Sequence, residues 1–498
     1  MKKLFIGIVV SCFIINAQAQ NQEDLFRYSN QGLIGSARTL GLGGAWGAVG
    51  ADPTSASINP AGLALYRKNE FMGSLAITAT MSSANYQGNI TKDGRTILNL
   101  PNLGMVFTKL NQSAGKDQTT GVVSSSFAFG MNRINNFQTT TSYSGNNNNQ
   151  SIAQYFANKA AGTDSTILNS ADYDNEPYAQ AWRTFLIDNS GSPSAYKSIF
   201  EVLGDSVYTV NQGNVIQNKG SANEWYAGAG FNIGNFLYLG GSVVIQDIDF
   251  TSDNTYTESV VKSSINSTTP ARYKSVTINQ SLRTEGSGVG GKFGVILSPV
   301  DFLKMGVSYH TPIRIDLTDY YQNTMDMKYT TGSSNSADGR EDYYKYQIVT
   351  PGRLIASGAI TLRQIAILAV DYERVDFTQG RFSDQSTFAI ANSNNKVIYD
   401  IANNYRFGVE IKADDIRIRA GYSILGSPYK ENVVSKTDGT KQVISAGIGL
   451  IYNKAFFFDF AVSDRIGKDY ITPYEGCNAS AVNTTNQLNF IIGAGYRF

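Results

Sequence analysis

The sequence from Leu488 to Phe498 reads LNFIIGAGYRF, and every second residue from Leu488 onward is apolar. Small and polar residues such as Asn489 and Arg497 stand between them, with Ile491 as the exception. A period of two places successive side chains on opposite faces of a β-strand. Because about ten residues is the length of a tilted strand that crosses a membrane, this stretch predicts a membrane-spanning strand.

The same alternation recurs along the chain. The segments that carry it are 73–79, 103–107, 237–246, 303–309, 404–411, 416–422, 444–452 and 456–463. A water-soluble β-sandwich also alternates, but two features favour a closed barrel in a membrane. The opposite faces carry Arg, Glu and Gly, which suits a polar lumen, and very short turns such as Asn453-Lys454 alternate with long polar segments. The sequence therefore predicts an all-β transmembrane barrel.

The predicted barrel occupies residues 69–498, with a long extracellular loop at about 145–204. Further strands are expected near 100–110, 122–133, 224–232, 236–250, 273–298 and 302–318, with 273–298 forming two strands or parts of two. Within the long loop, apolar residues at mixed three- and four-residue spacing predict short helices at 152–161 and 178–187.

Residues 1–19 have the pattern of a secretory signal peptide. Two lysines precede an apolar run at 4–15, and Ala17-Gln18-Ala19 is a small-residue cleavage site. The apolar run is too short for a membrane anchor. Val9-Val10-Ser11-Cys12 loosely fits a lipidation box, an alternative that would leave an unusually short apolar region. The pattern predicts export and removal of this segment.

Composition narrows the class of protein further. The 498 residues carry a formal net charge of +1, 16% of them are charged and 12% are aromatic. A charge near zero without a long basic run argues against nucleic acid as a partner. Beyond residue 20 no run of 18 apolar residues occurs, which excludes membrane-spanning helices. After cleavage only Cys477 remains, so no intramolecular disulfide is expected.

Residues 20–68 precede the barrel and centre on the stretch from Ser36 to Gly62, SARTLGLGGAWGAVGADPTSASINPAG. The stretch is rich in glycine and alanine, and such small residues let one backbone pass close to another. Pro60 fixes its own φ and biases Asn59 towards extended geometry, so this point is a turn. The stretch has little core of its own, and we expect the barrel to fold around it.

This stretch resembles the N-terminal hatch of the FadL-type outer-membrane transporters of hydrophobic compounds. The matching residues are Leu42-Gly43-Gly44-Ala45, Ala51-Asp52-Pro53 and Asn59-Pro60-Ala61-Gly62-Leu63-Ala64. Later segments resemble Bacteroidetes members of the family in the same order, namely 132–137, 291–295, 299–303, 309–312, 371–376, 419–422 and 426–429. The resemblance covers nearly the whole mature chain and is thinnest in the loops.

The resemblance implies an outer-membrane barrel of about fourteen strands with a hatch inside the lumen. It implies passive transport of hydrophobic small molecules, long-chain fatty-acid-like or other apolar compounds, without ATP, an ion gradient or a cofactor. Such molecules would dock among the extracellular loops, enter a pocket and leave when the N-terminus or hatch moves, including sideways into the membrane. The final Phe498 resembles the aromatic residue that the outer-membrane assembly machinery reads, and membrane lipid would surround the barrel.

Several residues are candidates for this site. On the resemblance, Asn59, Pro60, Ala61 and Gly62 shape and gate the hatch turn, and Phe26 or Tyr28 plugs the pocket. In the long loop the aromatic residues include Trp182, Phe185 and Phe200. They either pack together above the barrel mouth or line an apolar entrance, and both hypotheses stay open.

Charged residues and one histidine are expected to face the lumen. Strand parity places Arg406, Glu410, Arg417 and Arg419 there, either as a brace for the barrel interior or as an anchor for a substrate carboxylate. The single histidine, His310, shares parity with Ser308, which invites a hydrolase hypothesis. Hydrolysis also needs a third group and an oxyanion site, so we expect no enzyme.

No metal site or cofactor is expected, because one histidine and one cysteine cannot build a ligand set except with carboxylates. Some relatives of the family carry a haem-receptor label, but a structural luminal histidine is the simpler expectation. A second function stays open, in which a FadL-like barrel serves as an accessory subunit of type IX protein secretion. It predicts stable protein partners and no bound lipid.

Overall fold

The structure is a computed structural model that describes residues 22–111, 120–264, 273–363, 365–430 and 439–498. The predicted signal peptide, residues 1–19, lies outside the described residues, as do residues 20 and 21 of the predicted hatch. Among the described residues, no helix is long and apolar enough to cross a membrane.

The described chain is built mainly from β-strands. They are β1 (Glu70–Tyr86), β2 (Asn89–Leu110), β3 (Val122–Asn136), β4 (Thr139–Asn148), β5 (Ile187–Asn189), β6 (Tyr196–Ser198), β7 (Tyr208–Ile233), β8 (Leu237–Ser263), β9 (Tyr273–Val300), β10 (Leu303–His310), β11 (Arg314–Tyr329), β12 (Ser334–Asp338), β13 (Asp342–Val349), β14 (Arg353–Leu362), β15 (Ala366–Asp376), β16 (Arg381–Phe382), β17 (Ile401–Ala413), β18 (Ile416–Leu425), β19 (Lys441–Tyr452), β20 (Phe456–Ile471) and β21 (Ala481–Arg497).

Helices are short and lie before or between the strands. They are α1 (Gln22–Ser29), α2 (Ala37–Gly41), α3 (Ser55–Ile58), α4 (Ile152–Ala160), α5 (Ser165–Leu168), α6 (Pro177–Arg183), α7 (Ile199–Val202) and α8 (Ala389–Ile398). A 3₁₀ helix, Pro60–Leu65, follows α3 directly.

Antiparallel pairing closes the strands into one barrel of fourteen strands, which confirms the expected number. Four barrel strands consist of two consecutive pieces, β3 with β4, β10 with β11, β13 with β14 and β15 with β16. The break between β10 and β11 contains Pro312, which has no N–H to donate to a ladder. The barrel closes where β1 pairs with β21, and Asn69 and Phe498 exchange backbone hydrogen bonds of 3.1 Å.

Two sequence expectations about the strands were wrong. β2 begins at Asn89 rather than near residue 100, because it pairs with β1 along its whole outer half. The 273–298 segment is one continuous strand, β9, instead of two. The long loop, expected from about 145, follows Asn148, where β4 ends its pairing with β7.

A belt of exposed apolar side chains surrounds the barrel. It includes Phe71, Ile245, Val370, Phe458 and Phe490, each between 42% and 49% exposed. Towards the end of the barrel where the strands are longest, the belt reaches to about Ile245 on β8 and to about Val289 on β9. This is the surface of a membrane-spanning barrel, with an apolar outer face and a polar inner face.

The two ends of the barrel differ. At one end most strands meet in two- or three-residue turns, for example Asn453-Lys454-Ala455, where Asn453 and Lys454 have φ of 51° and 57°, while residues 111–121 join β2 to β3. At the other end β7, β8 and β9 run for 26, 27 and 28 residues. A membrane strand needs only about 9–11 residues, so these three rise well beyond the belt. Short turns mark the periplasmic end and long extensions the extracellular end.

The extracellular extensions carry a small folded unit, residues 149–207, which we call the extracellular subdomain. It contains α4 to α7 and the β5–β6 hairpin. Its side chains join those of β7, β8, β9 and β11 in one large apolar cluster that includes Phe156, Phe200, Tyr208 and Tyr273. The predicted helices at 152–161 and 178–187 correspond to α4 and α6, although residue 187 already belongs to β5.

The N-terminal segment, residues 22–68, is enclosed by the barrel. Its α2 contacts β18 to β21, while Pro60–Leu65 contacts β3 and β7 to β9 on the other side of the lumen. Leu42, Trp46 and Leu63 are at most 1% exposed. A segment that touches opposite walls and is buried between them lies across the lumen of the barrel.

Candidate functional site

Two consecutive backbone amides tie the N-terminal segment to the wall. Trp46 and Gly47 both donate their N–H groups to Oδ2 of Asp371 on β15, at 2.9 Å each. Asp371 is fully buried. A carboxylate that accepts backbone N–H groups makes stronger hydrogen bonds than a neutral acceptor does, so this side chain is a central attachment point of the segment.

The Asn59-Pro60-Ala61-Gly62 turn lies against β8 to β10. Asn59 donates from Nδ2 to the Gly47 carbonyl at 2.7 Å, and its Oδ1 accepts the Ala61 N–H at 3.2 Å. The four residues of the turn are all buried. Asn59 therefore links two parts of the segment and caps the 3₁₀ helix that follows it.

His310 and Ser308 hold the residue before that turn. Ser308 Oγ donates to the Ile58 carbonyl at 2.8 Å, and His310 Nε2 lies 2.9 Å from the same oxygen. Both side chains are buried on the inner face of β10. Since Ser308 is bonded to this carbonyl rather than to His310, the pair lacks the contact between nucleophile and base that hydrolysis needs.

Ion pairs on the inner wall form separate groups. Lys292 pairs with Glu224 at 2.6 Å and also donates to the Ser57 carbonyl at 2.9 Å. Glu373 bridges Arg353 and Arg406, and Arg353 donates to the Ser29 carbonyl. Two of these groups thus reach the N-terminal segment through its carbonyl oxygens.

The four charged residues that are expected to face the lumen fall into separate groups. Arg406 belongs with Glu373, whereas Arg419 pairs with Glu410 and Asp459. Arg417 is the second residue of β18 and donates to the Asp414 and Ile416 carbonyls at the periplasmic end of that strand. The strand register, which the sequence does not show, selects the partner of each residue.

The aromatic residues of α1 occupy two sites above the hatch-like turn. Phe26 lies among Phe377, Tyr399 and Tyr429, with ring centroids 5.3 to 5.9 Å away. Tyr28 contacts Phe137 and Phe250 edge-to-face at 6.4 and 6.2 Å. Each ring therefore fills an aromatic pocket at the upper end of the lumen.

The three aromatic candidates of the long loop lie elsewhere. Phe200 is buried, with its ring stacked 3.8 Å from that of Tyr208. Trp182 packs on Tyr196 within the same apolar cluster, and Phe185 is 53% exposed. They do not share a cavity with Phe26 or Tyr28, and Phe200 cannot line one without the subdomain opening.

In the part of the chain that the structure describes, cavities lie between the N-terminal segment and the wall on either side of residues 30–35, and three of them are considered in turn. The first, of about 80 Å³, is lined by Gly32 and Leu33 and by wall residues of β1, β2, β3 and β19 to β21. The second and third, of about 30 Å³ each, are lined by Gln31 and adjoin His310 and Phe26 respectively. We call residues 30–35 the linker.

Few bonds hold the linker in place. Gly32 donates its N–H to the Ile134 carbonyl at 2.8 Å, and Asn135 Nδ2 donates to the Asn30 carbonyl at 3.2 Å. Both wall residues belong to β3, whose register on β7 shifts at this level. The linker is thus attached to an irregular part of the barrel wall.

The wall itself is interrupted beside the first cavity. Within the described chain, the β2–β3 ladder ends at the Asn102–Asn132 pair. Further out, β4 contacts the β1–β2 hairpin through side chains, including a hydrogen bond of 2.9 Å between Ser82 and Thr141. Asn99 and Pro101 on β2 and residues 133–136 on β3 border this wall gap and also line the first cavity.

Solved structures of other proteins contain a barrel of the same type. A Pseudomonas aeruginosa FadL homologue matches with 12% sequence identity and a TM-score of 0.55, over 94% of this chain and 100% of its own. The Pseudomonas putida toluene transporter TodX matches with 13% identity and a TM-score of 0.51, over 94% and 99%. The chain has the FadL-type fold. No protein-family model and no curated protein match its sequence.

Sequence reasoning missed several residues of the FadL-type lumen here. Asp371 and Glu373 attach or brace the N-terminal segment, and Lys292 and Arg353 reach its carbonyls. The alternation of side chains along β15 is enough to predict that the two carboxylates point inward, since Val370 and Tyr372 face the membrane. Their partners lie on other strands, so only the register brings them together.

Proposed function

We propose that the chain is a passive outer-membrane channel for hydrophobic small molecules. The wall gap between β2 and β3 carries the proposal, because residues on both of its edges line a cavity inside the barrel. An apolar molecule that reaches this cavity can leave sideways into the membrane without crossing the polar lumen. Passage needs no nucleotide or ion gradient.

The close fit of the N-terminal segment supports a sideways exit. A Cβ added to Gly421 would lie 2.2 Å from the Gly43 nitrogen, and one added to Gly240 would lie 2.2 Å from the Pro60 carbonyl carbon. Backbone thus lies directly on backbone on both sides of the lumen. Moving the whole segment would break these contacts together, whereas the wall gap is already present.

The linker is the part of the segment that we propose to move. Residues 30–35 separate the three cavities, and two hydrogen bonds to β3 hold them there. Displacement of the linker would join the cavity beside Phe26 to the one behind the wall gap. Phe26 and Tyr28 then act as plugs above this route, and Asn59 keeps the turn below it closed.

The cavity walls favour a substrate with an anionic end. Arg465 borders the first and third cavities, Arg133 the first and Lys441 the third. Among the described residues, none of these three cations has a carboxylate oxygen within 4 Å. Apolar residues such as Ile134 and Ile491 line the same space. A long-chain carboxylic acid matches both features.

Uptake into proteoliposomes tests the proposal. The wild-type channel and Arg465→Gln are compared on a long-chain fatty acid and on the alcohol of equal length. Loss of a charged hydrogen bond, worth about 1.5–3 kcal/mol, predicts that the variant slows acid uptake roughly 10-fold or more and leaves alcohol uptake unchanged. Lys468→Gln, an exposed cation on the same strand, is the matched control.

Three results would contradict the proposal. Uptake no faster than in empty liposomes would reject transport, and equal loss of acid and alcohol uptake in Arg465→Gln would reject the anionic end. A purified barrel that carries no small molecule but a stable protein partner would favour the secretion hypothesis instead.

A further inference from the structure

The first cavity has an apolar side and a polar side. The apolar side includes Leu33, Ile134 and Ile491. The polar side belongs to β1, β2, β20 and β21, and we call its residues the polar wall. They are Thr78, Asn99, Ser463, Arg465, Gln487 and Asn489. Polar groups beside a route for apolar molecules are costly to dehydrate unless they are hydrogen-bonded, so their partners bear on the choice of substrate.

Hydrogen bonds tie four residues of the polar wall to one another. Asn99 donates from Nδ2 to Thr78 Oγ1 at 2.9 Å, and Thr78 Oγ1 donates to Asn489 Oδ1 at 2.7 Å. Asn489 Nδ2 in turn donates to Ser463 Oγ at 3.2 Å. These bonds run in one direction across four strands. Thr78 and Asn489 are therefore held by neighbours on both sides.

Gln487 differs from these residues, because one half of its amide has no partner. Its Nε2 donates to Thr80 Oγ1 at 3.3 Å. Among the described residues, no donor lies within hydrogen-bond distance of its Oε1. The side chain lines the first cavity, and the residue is only 6% exposed. Gln487 thus leaves an acceptor oxygen for an enclosed space, where an unpaired acceptor is costly.

The cation Arg465 lies directly beside this acceptor. It is the cross-strand partner of Gln487 in the β20–β21 ladder, and such partners have Cβ atoms about 4.5–5.5 Å apart. Its Nη1 lies 3.6 Å from the position of a Cβ added to Gly32, so the guanidinium reaches the linker. A strong donor for an anion and a neutral acceptor therefore border the same cavity side by side.

We propose that the first cavity selects a fatty acid that carries a hydroxyl group close to its carboxylate, as a β-hydroxy acid does. The carboxylate accepts hydrogen bonds from Arg465, and the hydroxyl group donates to Gln487 Oε1. The alkyl chain lies against Ile134 and Ile491 on the apolar side of the cavity. The inference rests on the proposed function, since the same cavity and the same cation hold the acid in both.

Other amphiphiles match this pair of side chains less well. A plain fatty acid displaces water from Gln487 Oε1 and leaves that acceptor unpaired. A hydroxyl group restores the hydrogen bond, and it is small enough for a cavity of about 80 Å³. An ammonium group in its place would meet the like charge of Arg465. An alcohol without the carboxylate would satisfy Gln487 but leave Arg465 without an anion.

Competitive uptake into proteoliposomes tests the proposal. Hexadecanoic acid and the same acid with a hydroxyl group on its β-carbon are supplied together in equal amounts, and uptake by empty liposomes is subtracted. One neutral hydrogen bond corresponds to about a 5-fold difference in rate, so we expect the wild-type channel to prefer the β-hydroxy acid by that factor. Hexadecanoic acid with its hydroxyl group at the far end of the chain controls for polarity and should show no advantage.

A variant of Gln487 tests the acceptor itself. Gln487→Met removes the amide and keeps the length of the side chain. We expect it to lower uptake of the β-hydroxy acid to the rate of hexadecanoic acid, and to leave uptake of hexadecanoic acid unchanged. That unchanged rate also shows that the barrel is folded. Gln442→Met, on the exposed outer face of β19, is the matched control and should keep the preference.

Equal uptake of the two acids by the wild-type channel would overturn the inference and leave the proposed function standing. A preference that survives in Gln487→Met, or that the acid with the far-end hydroxyl group shares, would do the same. If neither acid entered faster than it enters empty liposomes, the inference would fall together with the proposed function.

Discussion

The N-terminal segment and the extracellular subdomain are both compact inserts, but they are held in opposite ways. The subdomain buries large side chains in one cluster with four long strands. The N-terminal segment presents small residues, and its backbone meets the wall at glycines such as Gly240 and Gly421. Polar side chains such as Asp371 then fix it at single points.

The polar contacts of the two regions differ as well. Glu258 on β8 joins α4 to the strands by accepting hydrogen bonds, and its donors are Ser151, the Ile152 N–H, Gln212, Tyr256 and Tyr273. Burial raises the pKa of this carboxyl above its usual range, while the donors oppose that shift. The subdomain resists separation from the strands, because its apolar cluster surrounds a carboxylate whose hydrogen bonds are all formed within the fold. Separate point contacts, such as the two hydrogen bonds of the linker, can be released one at a time, which suits the movement that we propose for the linker.

The largest effect is expected in the extracellular subdomain. Phe200→Ala removes a buried ring stacked on Tyr208 and should cost about 3–5 kcal/mol of the free energy of local unfolding. Limited proteolysis of the folded barrel measures this as faster cleavage within residues 149–207. The control is Phe185→Ala, which removes an exposed ring and should cost less than about 0.5 kcal/mol. Equal cleavage of the two variants would contradict the packing described here.

A smaller effect is expected where the N-terminal segment meets the wall. Gly421→Val places side-chain atoms where the Gly43 backbone lies, and such overpacking costs about 1–3 kcal/mol. Because single polar contacts fix the N-terminal segment to the wall, we expect the segment to shift while the strands of the barrel stay paired. Planar-bilayer conductance should rise above that of the wild type. Gly94→Val, where an added Cβ meets nothing within 4 Å, should leave conductance unchanged.

Asn59→Ala tests a single attachment inside the segment. The change removes the hydrogen bond to the Gly47 carbonyl and the cap on Ala61, a loss of about 1–2 kcal/mol. Fatty-acid uptake into proteoliposomes should change in rate, since the turn below the route is loosened. Asn254→Ala on the extracellular part of β8 should not alter it. An unchanged rate in Asn59→Ala would remove the gating role of the turn.

A pH dependence is expected in the subdomain as well. Burial raises the pKa of Glu176, at the start of α6, to about 7. The folded chain then keeps this proton up to about pH 7, whereas an exposed glutamate releases it near pH 4.3. Stability therefore falls as the pH rises between these values and is level above them.

Thermal unfolding measures this dependence. Glu176→Gln cannot ionise, so it should melt higher than the wild type at pH 8 and at the same temperature at pH 4. Glu341→Gln, an exposed loop residue, should show no such difference. A wild-type subdomain that gains stability from pH 4 to 8 would show that the sign is wrong.

The sequence predicts this barrel well only where lipid imposes a pattern. In β17 and β20 the outer face must be apolar, so every second residue from 405 to 411 and from 456 to 462 is apolar. The outer half of β2, by contrast, rises beyond the belt and carries Lys92, Asp93 and Arg95. Water accepts polar residues on both faces there, so no alternation marks the strand.

The site is less visible in the sequence than the fold is. Parity gives the face of a side chain such as Glu373, but its partners Arg353 and Arg406 are set by how three strands align. The wall gap depends on where a ladder stops, at Asn102–Asn132, and no residue there is unusual in itself. The alternation along one strand shows which face of the barrel a side chain occupies. The register between strands determines which side chains it contacts.

The most direct test compares the wall gap with the N-terminal segment in one uptake experiment. Asn99→Trp fills the gap from β2, and Thr96→Trp on the outer face of the same strand is its control. Ala37→Cys/Gly493→Cys, in a Cys477→Ser background, locks α2 to β21. The Cβ atoms would lie 3.3 Å apart, close to the spacing of a disulfide. This lock leaves the linker free.

Exit through the gap predicts that Asn99→Trp stops fatty-acid uptake, while the locked channel transports at the rate of its reduced form. Uptake that the lock stops and Asn99→Trp leaves intact would contradict it, and would place the route through the periplasmic end of the barrel.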